Sequence, residues 1–531
     1  MNRLQPAPPA RGCRGKIAFV YRGYENIGIQ SLSAVLKQAG FSTRLFYDPE
    51  LFDDWILRMP ALISYFDYSD QLVADLAAWR PDLVLFSVVT YDYLWAQQIA
   101  RRIASLADAP IVFGGIHATS VPEKVLENPF VDFVVQGEGE NAVLRLAEHV
   151  IEKAPREAVP NLWYKSDGRI VSPGQLAPLI QDLDSLPFAD KELHYEASAH
   201  FRIGYTIISG RGCPNNCTYC HNNVQKKLYP LKGYLRRRSP ENVVTELGEA
   251  KRRYGFDLVR FSDDNFCYDP DWLDAFAPLY ADKVKIPFWI FMHPSASNER
   301  TIRALKTAGC LEVEMGIQTL EPEVRTEVIH RKETEAEIIQ AIRMLRQAGI
   351  RCTTDFIINL PGHTEESLVE AIRFFTRHRP HRVNTFWINY YPRLDITRLA
   401  LDRGTIDQET EERICRGYGV HTFFQGGTVF DLRLARLQIL FSLLHVVPEP
   451  VLKKILDRRL YRSLPFLGFK PTYFVMYMLS YLTKEKKNDL YLRRFKMRYR
   501  TYMQRRLRER LGLGRRASRG GSGEVFARDG S

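Results

Sequence analysis

Cysteine is scarce in this chain. Eight residues in 531 are too few and too scattered for a disulfide scaffold, which packs paired cysteines densely into a small domain. Long hydrophobic runs are also missing: Leu432 to Val447 and Pro471 to Leu482 are the most apolar stretches, and neither reaches the roughly 20 residues that span a bilayer. Met1 to Lys16 carries proline and arginine but no apolar core, so no secretory signal is read there. Together these absences point to a reducing, cytoplasmic setting.

Acidic residues are missing from one region in particular. Between Val451 and Gly520 there are 21 Lys and Arg against 4 Asp and Glu, which more than accounts for the net charge of +12 and leaves the remainder mildly acidic. A basic carboxy-terminal surface therefore explains the charge better than a basic active site. The run Arg493 to Arg510, with the aromatics of Pro471 to Leu482, suits peripheral contact with an anionic membrane. A helical cap over a barrel mouth with a solvated basic face explains it equally simply. No RNA-binding module accompanies the basic tail, so no nucleic-acid partner is expected.

Three of the few cysteines are concentrated in Arg211-Gly212-Cys213-Pro214-Asn215-Asn216-Cys217-Thr218-Tyr219-Cys220-His221, directly after the apolar run Tyr205 to Ile208. A closed zinc site wants four ligands, whereas a cubane iron-sulfur cluster held by three thiolates leaves one iron open to a small molecule. A zinc site completed by His221 or a distant cysteine is the competing reading, and a non-enzymatic metal-binding protein would follow from it.

The C-x3-C-x2-C spacing, with aromatic Tyr219 just before the last cysteine, resembles the signature of the radical S-adenosylmethionine (SAM) superfamily. The resemblance implies a 4Fe-4S cluster on Cys213, Cys217 and Cys220. Its open iron would chelate the amino and carboxylate groups of SAM, and one electron from a flavodoxin- or ferredoxin-type donor would cleave SAM to a 5′-deoxyadenosyl radical. Oxygen sensitivity would follow.

Upstream, short apolar strands alternate with helices: strands at Lys16 to Tyr21, Phe41 to Tyr47, Leu83 to Val89, Ile111 to Phe113 and Phe133 to Val135. That alternation predicts a doubly wound, Rossmann-like parallel sheet over 15–155, binding its ligand at the strand C-termini. The loops Ser87 to Thr90, Gly114-Gly115-Ile116-His117-Ala118-Thr119 and Gly137-Glu138-Gly139-Glu140 resemble those of the cobalamin-binding domain that precedes many radical SAM domains. By that resemblance Ser87, Thr90, Gly114, Gly115, His117, Gly137 and Glu138 would contact cobalamin. The first loop, Tyr24-Glu25-Asn26-Ile27-Gly28, lacks the D-x-H-x-x-G histidine that would ligate cobalt from below. A domain that kept the fold and lost the cofactor stays open as an alternative.

Residues 156–200 read as a linker containing a hairpin at Ser166-Asp167-Gly168. From Tyr205 to Tyr390 six strand-helix units follow, predicting a six-stranded partial (β/α)6 barrel of TIM type over 201–400 with functional residues at strand C-termini. Family resemblance would put Asp263, Asp264 and Asn265 at SAM's amino group, Gln318 at its ribose and Arg331 near its carboxylate, with Tyr219 alongside. Relatives commonly continue the last strand as Tyr-Pro-Gly-Thr, whereas this chain reads Tyr391-Pro392-Arg393-Leu394-Asp395. A helical basic region over 401–511 and disordered tails at 1–14 and 512–531 complete the α/β reading. The expected activity is C-methylation of an unactivated carbon of a hydrophobic small molecule or lipid by a cobalamin-dependent radical SAM enzyme. Cyclisation or rearrangement of a tetrapyrrole or lipid is the alternative outcome.

Overall fold

The computed structural model describes residues 12–54, 57–156, 159–420, 427–466, 468 and 490–510. The aromatic stretch Pro471 to Leu482, the tail 512–531 and most of the tail 1–14 lie outside the described residues.

The amino-terminal sheet contains β1 (Lys16–Arg22), β2 (Ser42–Asp48), β3 (Leu83–Ser87), β4 (Ile111–Gly114), β5 (Phe133–Val135), β6 (Leu162–Ser166) and β7 (Arg169–Val171), in the order β2-β1-β3-β4-β5-β6-β7. The first five strands pair in parallel. Both faces are covered, so the strands are apolar almost throughout rather than alternating; β1 buries Ile17, Ala18, Phe19 and Val20 in succession. The strand order reverses at β1 and β3, where an open sheet of this kind takes its ligand. The hairpin read as part of a linker forms, but it extends this sheet: β6 pairs antiparallel with β5, and β7 with β6.

The second sheet begins with β8 (Tyr205–Ile207). A two-stranded antiparallel ribbon, β9 (Gly210–Arg211) with β10 (Arg236–Arg237), then brackets the cysteine loop. β11 (Val259–Phe261), β12 (Phe288–Met292), β13 (Cys310–Gln318), β14 (Arg351–Ile358) and β15 (Arg382–Trp387) complete six parallel strands in the order β15-β14-β13-β12-β11-β8. The intervening helices start at side-chain caps, Ser239, Asp269, Asn298, Thr334 and Thr364, and three of them end on glycine at positive φ: Gly255, Gly309 and Gly349. Each cap supplies an acceptor for an otherwise unpaired N–H, and each glycine adopts the left-handed turn that stops the helix.

Residues alternate between the two faces of these strands. Val313, Met315 and Ile317 join the core under the helices, while Glu312, Glu314 and Gln318 face the lumen. The helix Leu432–Leu443 packs beside β15, with Trp387 Nε1 donating to Gln438 Oε1 at 2.8 Å. It therefore flanks the open edge of the barrel instead of capping its mouth.

The basic helix Leu490–Arg510 is not a free amphipathic surface. Leu490 packs with Leu258 and Trp289 beneath the barrel, Arg494 and Arg498 are buried, and Tyr499 and Tyr502 pack with Leu51, Phe52, Phe66 and Tyr68. Two of the arginines counted toward a membrane-facing stripe are thereby removed from it. Among the described residues no helix is long and apolar enough to cross a membrane.

Candidate cofactor sites

The cysteine loop follows β9 and runs into the helix His221–Leu228. Thr218 pins it from within, donating its hydroxyl to the Val328 carbonyl at 2.7 Å, while the Ile396 amide donates to the Thr218 carbonyl. Cys213 and Cys217 are buried, Cys220 is partly exposed, and all three are free thiols. Burial pushes the Cys213 thiol up to about 11 and that of Cys220 to about 12. Two of the sulfurs have an amide donor facing them: Asn215 Nδ2 lies 3.8 Å from Cys213 and Asn222 Nδ2 3.7 Å from Cys220. Donors of this kind set the potential of thiolate-ligated iron. Among the described residues no three His, Cys, Asp or Glu side chains are grouped so as to hold one metal ion. A single zinc needs all its sulfurs about 2.3 Å from one centre, whereas a cubane takes each thiolate on its own iron. Three soft, separately spaced thiols, the first and last facing amide donors, fit the cluster.

The loop after β11 divides the three polar residues expected there. The Asp263 carboxylate turns back to Ser209, accepting from its amide and from its hydroxyl at 2.7 Å, with Arg237 at 3.4 Å. Asp264 accepts from Asn222, which places it beside the thiols. Asn265 is 4% exposed, and its Oδ1 has no hydrogen-bond partner among the described residues. A buried acceptor left open is costly unless a donor arrives, and an ammonium supplies one.

At the end of β13 the strand bulges between Gly316 and Gln318, and Gln318 takes a φ of +69°. Asn359, just past β14, and His330 share that left-handed geometry at +65° and +53°. Non-glycine residues held so cluster at functional sites because the surrounding structure must maintain the strain. Gln318 folds its amide back over Gly316, where an added Cβ would clash with its nitrogen. Arg331 is largely occupied: Nε donates to Glu333 at 2.5 Å, Nη2 to the Gly316 carbonyl at 2.6 Å, and Nη1 meets the Tyr219 hydroxyl at 3.4 Å. Burial opposes ionisation of Glu333, yet the His293 hydrogen bond and Arg331 bring its carboxyl down to about 2. Arg331 therefore braces Tyr219 beside the cysteines.

A cavity of about 370 Å³ lies at the β1/β3 reversal, between the two sheets. Phe19, Leu85, Val112, Val135 and Val143 give it an apolar wall, and Ser87, Gly114, Gly115, Gly137 and Glu138 its rim. From the barrel side Thr206, Ile208, Arg211 and Arg238 close it. Gly115 has a φ of +88°, and a Cβ there would meet the Val88 amide nitrogen at 2.7 Å, so the chain itself demands glycine. An apolar slot under a glycine rim at the strand C-termini fits the planar apolar base of a nucleotide tail.

Two of the expected contacts do not line this cavity. His117 is fully buried, Nδ1 sits 3.1 Å from Thr90 Oγ1, and its ring packs on Tyr93 at 4.1 Å. Burial takes its pKa down to about 3. His117 and Thr90 thus hold the loop from inside. Glu138 lines the rim but faces the barrel: Oε1 accepts from Arg211 at 3.0 Å and Arg236 at 2.6 Å, and Oε2 from the Ile180 amide at 3.0 Å. Arg211 also reaches Glu140 at 2.5 Å, and the Glu138 amide donates to the Tyr229 hydroxyl at 3.1 Å. This clasp joins the Gly-Glu-Gly-Glu loop to both ends of the cysteine segment. Its arginines and Tyr229 carry no motif of their own, and only the run of like charge beside the cysteines hinted at them.

The departing loop after β15 has a local explanation. Arg393, where relatives carry glycine, adopts a φ of +64° and reaches Glu123 of the first domain at 2.6 Å. Asp395 accepts from Asn223 and from Lys227 on the cysteine-loop helix, both at 2.8 Å. Inside the lumen, Asn384 Nδ2 bridges Glu314 at 3.3 Å and Asp355 at 3.0 Å, while Arg382 lies 3.4 Å from Glu312. Burial raises both Glu314 and Asp355; Glu314 raises Asp355 further, whereas the hydrogen bond with Asp355 lowers Glu314, so Asp355 is the member of the pair that keeps a proton. The lumen wall is polar rather than oily.

Comparison with known proteins agrees with this arrangement. A family model described as the radical SAM superfamily matches residues 207–375, and one described as the B12 binding domain matches 17–147. The chain thus carries a B12-binding domain ahead of a radical SAM domain. The cofactors of these two domains are a 4Fe-4S cluster, SAM and cobalamin. An uncharacterized methyltransferase of Pyrococcus horikoshii is 28% identical over 304 residues, 55% of this chain and 64% of the relative. The anaerobic magnesium-protoporphyrin IX monomethyl ester cyclase of Cereibacter sphaeroides is 26% identical over 408 residues, 71% of this chain and 62% of the relative. The chain thus spans a little under two thirds of the length of both. Among solved structures, the cobalamin-dependent SAM radical enzyme OxsB, with aqua-cobalamin and SAM bound, superposes with a TM-score of 0.64 at 15% identity, covering 94% of this chain and 80% of that one. The methyltransferase TsrM of Kitasatospora setae gives 0.59 at 18% identity over 74% of this chain and 75% of that one. At such identities the likeness concerns the fold.

Proposed function

We propose that the protein is a cobalamin-dependent radical SAM methyltransferase acting on an unactivated carbon of a small molecule. The observation that carries the reading is the clasp of Arg211 and Arg236 on Glu138, which holds the cavity rim and the cysteine loop in fixed apposition. When bound, the cluster with SAM supplies a carbon radical by hydrogen abstraction, and cobalamin supplies the methyl group.

The chain's own residues position and enclose. Cys213, Cys217 and Cys220 hold the cluster, with Asn215 and Asn222 donating to the first and last. Asn265 Oδ1, buried and without a partner, would accept from the SAM ammonium with the Asp264 carboxylate nearby, and Gln318 would address the ribose. Arg331 acts through Tyr219 as a positioning residue. Ser87, Gly114, Gly115 and Gly137 line the cobalamin groove, with Thr90 and His117 supporting it from behind. The polar lumen wall at Glu314, Asp355 and Asn384 favours a substrate with a polar handle over a purely apolar one.

Incubation of the anaerobically reconstituted protein with methyl-labelled SAM, reductant and candidate substrates tests the reading: label should enter the product at carbon. A second reading, ring closure, is favoured by the cyclase match across 71% of this chain. It would yield modified product without label.

A further inference from the structure

The barrel lumen holds an arginine that has no counterion among the described residues. Arg260 sits in β11 between Val259 and Phe261, both fully buried in the core under the helices, so its own side chain faces the lumen. There it stands in register with Thr206 of β8 and Trp289 of β12. Its guanidinium lies over three rings, 4.7 Å from the centre of Trp289, 4.9 Å from that of Tyr491 and 5.8 Å from that of Phe291. A guanidinium held by aromatic rings through its face keeps the N–H groups of its edge for a ligand. In Arg260 that edge is open: Nε is buried without a hydrogen-bond partner, and no described carboxylate pairs with it.

The neighbouring charges are spoken for. Glu312, in register with Trp289, pairs with Arg382 at 3.4 Å and accepts from the Thr353 hydroxyl at 2.6 Å. Glu314 accepts from Asn384, and Asp355 keeps its proton. These acceptors line β13 to β15 and repel an oxyanion, which confines one to the β11 and β12 side where Arg260 lies. A guanidinium left without a partner in such a setting is costly, and a carboxylate matches it with two oxygens for two parallel N–H bonds. Below Arg260, Leu258, Trp289 and Leu490 close the floor. Above it, β11 ends one residue later and leads into the loop that carries Asp264 and Asn265. A small molecule anchored at Arg260 therefore extends toward the SAM site.

We propose that Arg260 anchors a carboxylate of the substrate, which makes the molecule an organic acid held by its acidic end at the lumen floor. The inference rests on the function proposed above and names the polar handle that the lumen takes. Arg260 selects and orients; no bond is made or broken there.

The test uses the full-length reconstituted protein and two probes of nearly equal shape, phenylacetate and the neutral phenylacetamide, titrated by calorimetry. Phenylacetate should bind the wild type at least about tenfold more tightly than the amide. Arg260→Gln should abolish that preference, and Arg260→Lys, which keeps the charge but loses the planar fork, should retain part of it. The wild-type comparison reads the charge preference whatever the variants do to folding. Equal binding of the two probes to the wild type, or a carboxylate preference that survives in folded Arg260→Gln, would overturn the anchor. A protein that shows the preference and its loss in Arg260→Gln, yet transfers no methyl group from SAM to carbon, would instead refute the function proposed above.

Discussion

Arg494 donates to the Glu25 carboxylate at 2.8 Å although 469 residues separate the two. Glu25 lies in the first loop of the B12-binding domain, three residues before Gly28, where the D-x-H-x-x-G pattern would place its histidine. Lys191 holds the other carboxylate oxygen at 2.9 Å and also donates to Gln30 and the Thr206 carbonyl. Burial opposes ionisation of Glu25, but Lys191 and Arg494 prevail and lower its pKa. Further along the same helix, Arg498 pairs with fully buried Asp54, which also accepts from the Tyr499 hydroxyl at 2.8 Å. The basic helix thus supplies countercharges that the first domain lacks. Removing one partner of a buried pair leaves an uncompensated charge, which costs about 3–5 kcal/mol. Arg494→Met should therefore lower the unfolding free energy by about 3 kcal/mol in urea titration, and Arg494→Lys by less.

Acid should destabilise the fold well above the carboxylate range. Burial lowers His117 and His363 to about 3 and His194 to about 4, so the folded state holds all three neutral. Unfolded histidine titrates near 6.5, so below that pH the unfolded chain binds protons that the folded chain refuses. Stability is then complete above pH 6.5 and is lost as pH falls toward 4, by about 1.4 kcal/mol per histidine per unit. Urea midpoints at pH 7.5, 6 and 5 should fall in that order.

Gly137 sits at φ +81° with the Tyr229 hydroxyl where its Cβ would be. Gly137→Ala should force Tyr229 out and break the contact between the cavity rim and the cysteine-loop helix. The expected cost is about 2 kcal/mol together with weaker cobalamin binding. In the Tyr229→Ala background the same substitution should cost less, and strict additivity of the two would contradict the steric account.

The proton that Asp355 keeps in the lumen predicts a gain. Burial and then Glu314 raise the Asp355 pKa well above its ordinary value, so Asp355 contributes stability only at low pH and detracts from it near neutrality. Asp355→Asn should raise the melting temperature at pH 7, an increment of about 1 kcal/mol, while impairing turnover if the pair contacts substrate.

Much of this architecture was legible in the sequence because its signals are local. Short apolar runs alternating with helical stretches place β1 to β5 and the barrel strands to within three residues of where they form. The cysteine spacing is likewise a contiguous motif. What could not be read is whatever depends on partners far along the chain. The turn signal at Ser166-Asp167-Gly168 gave the hairpin but not its pairing with β5. The charge run at Arg493 to Arg510 did not reveal that Arg494 and Arg498 point inward, because burial of a charge depends on Glu25 and Asp54. Loop wording suggested Thr90, His117 and Glu138 as ligand contacts, yet the same residue types also serve as internal braces, and only their neighbours distinguish the roles.

The most direct test of the central claim is anaerobic reconstitution of wild-type protein and Cys217→Ala with iron and sulfide, followed by metal analysis and quantification of 5′-deoxyadenosine after adding SAM and dithionite. The account predicts about four iron per wild-type chain and release of 5′-deoxyadenosine. In Cys217→Ala both should be lost while the far-ultraviolet spectrum of a folded chain is retained. One tightly held zinc per chain with no nucleoside released, or undiminished release by Cys217→Ala, would contradict it.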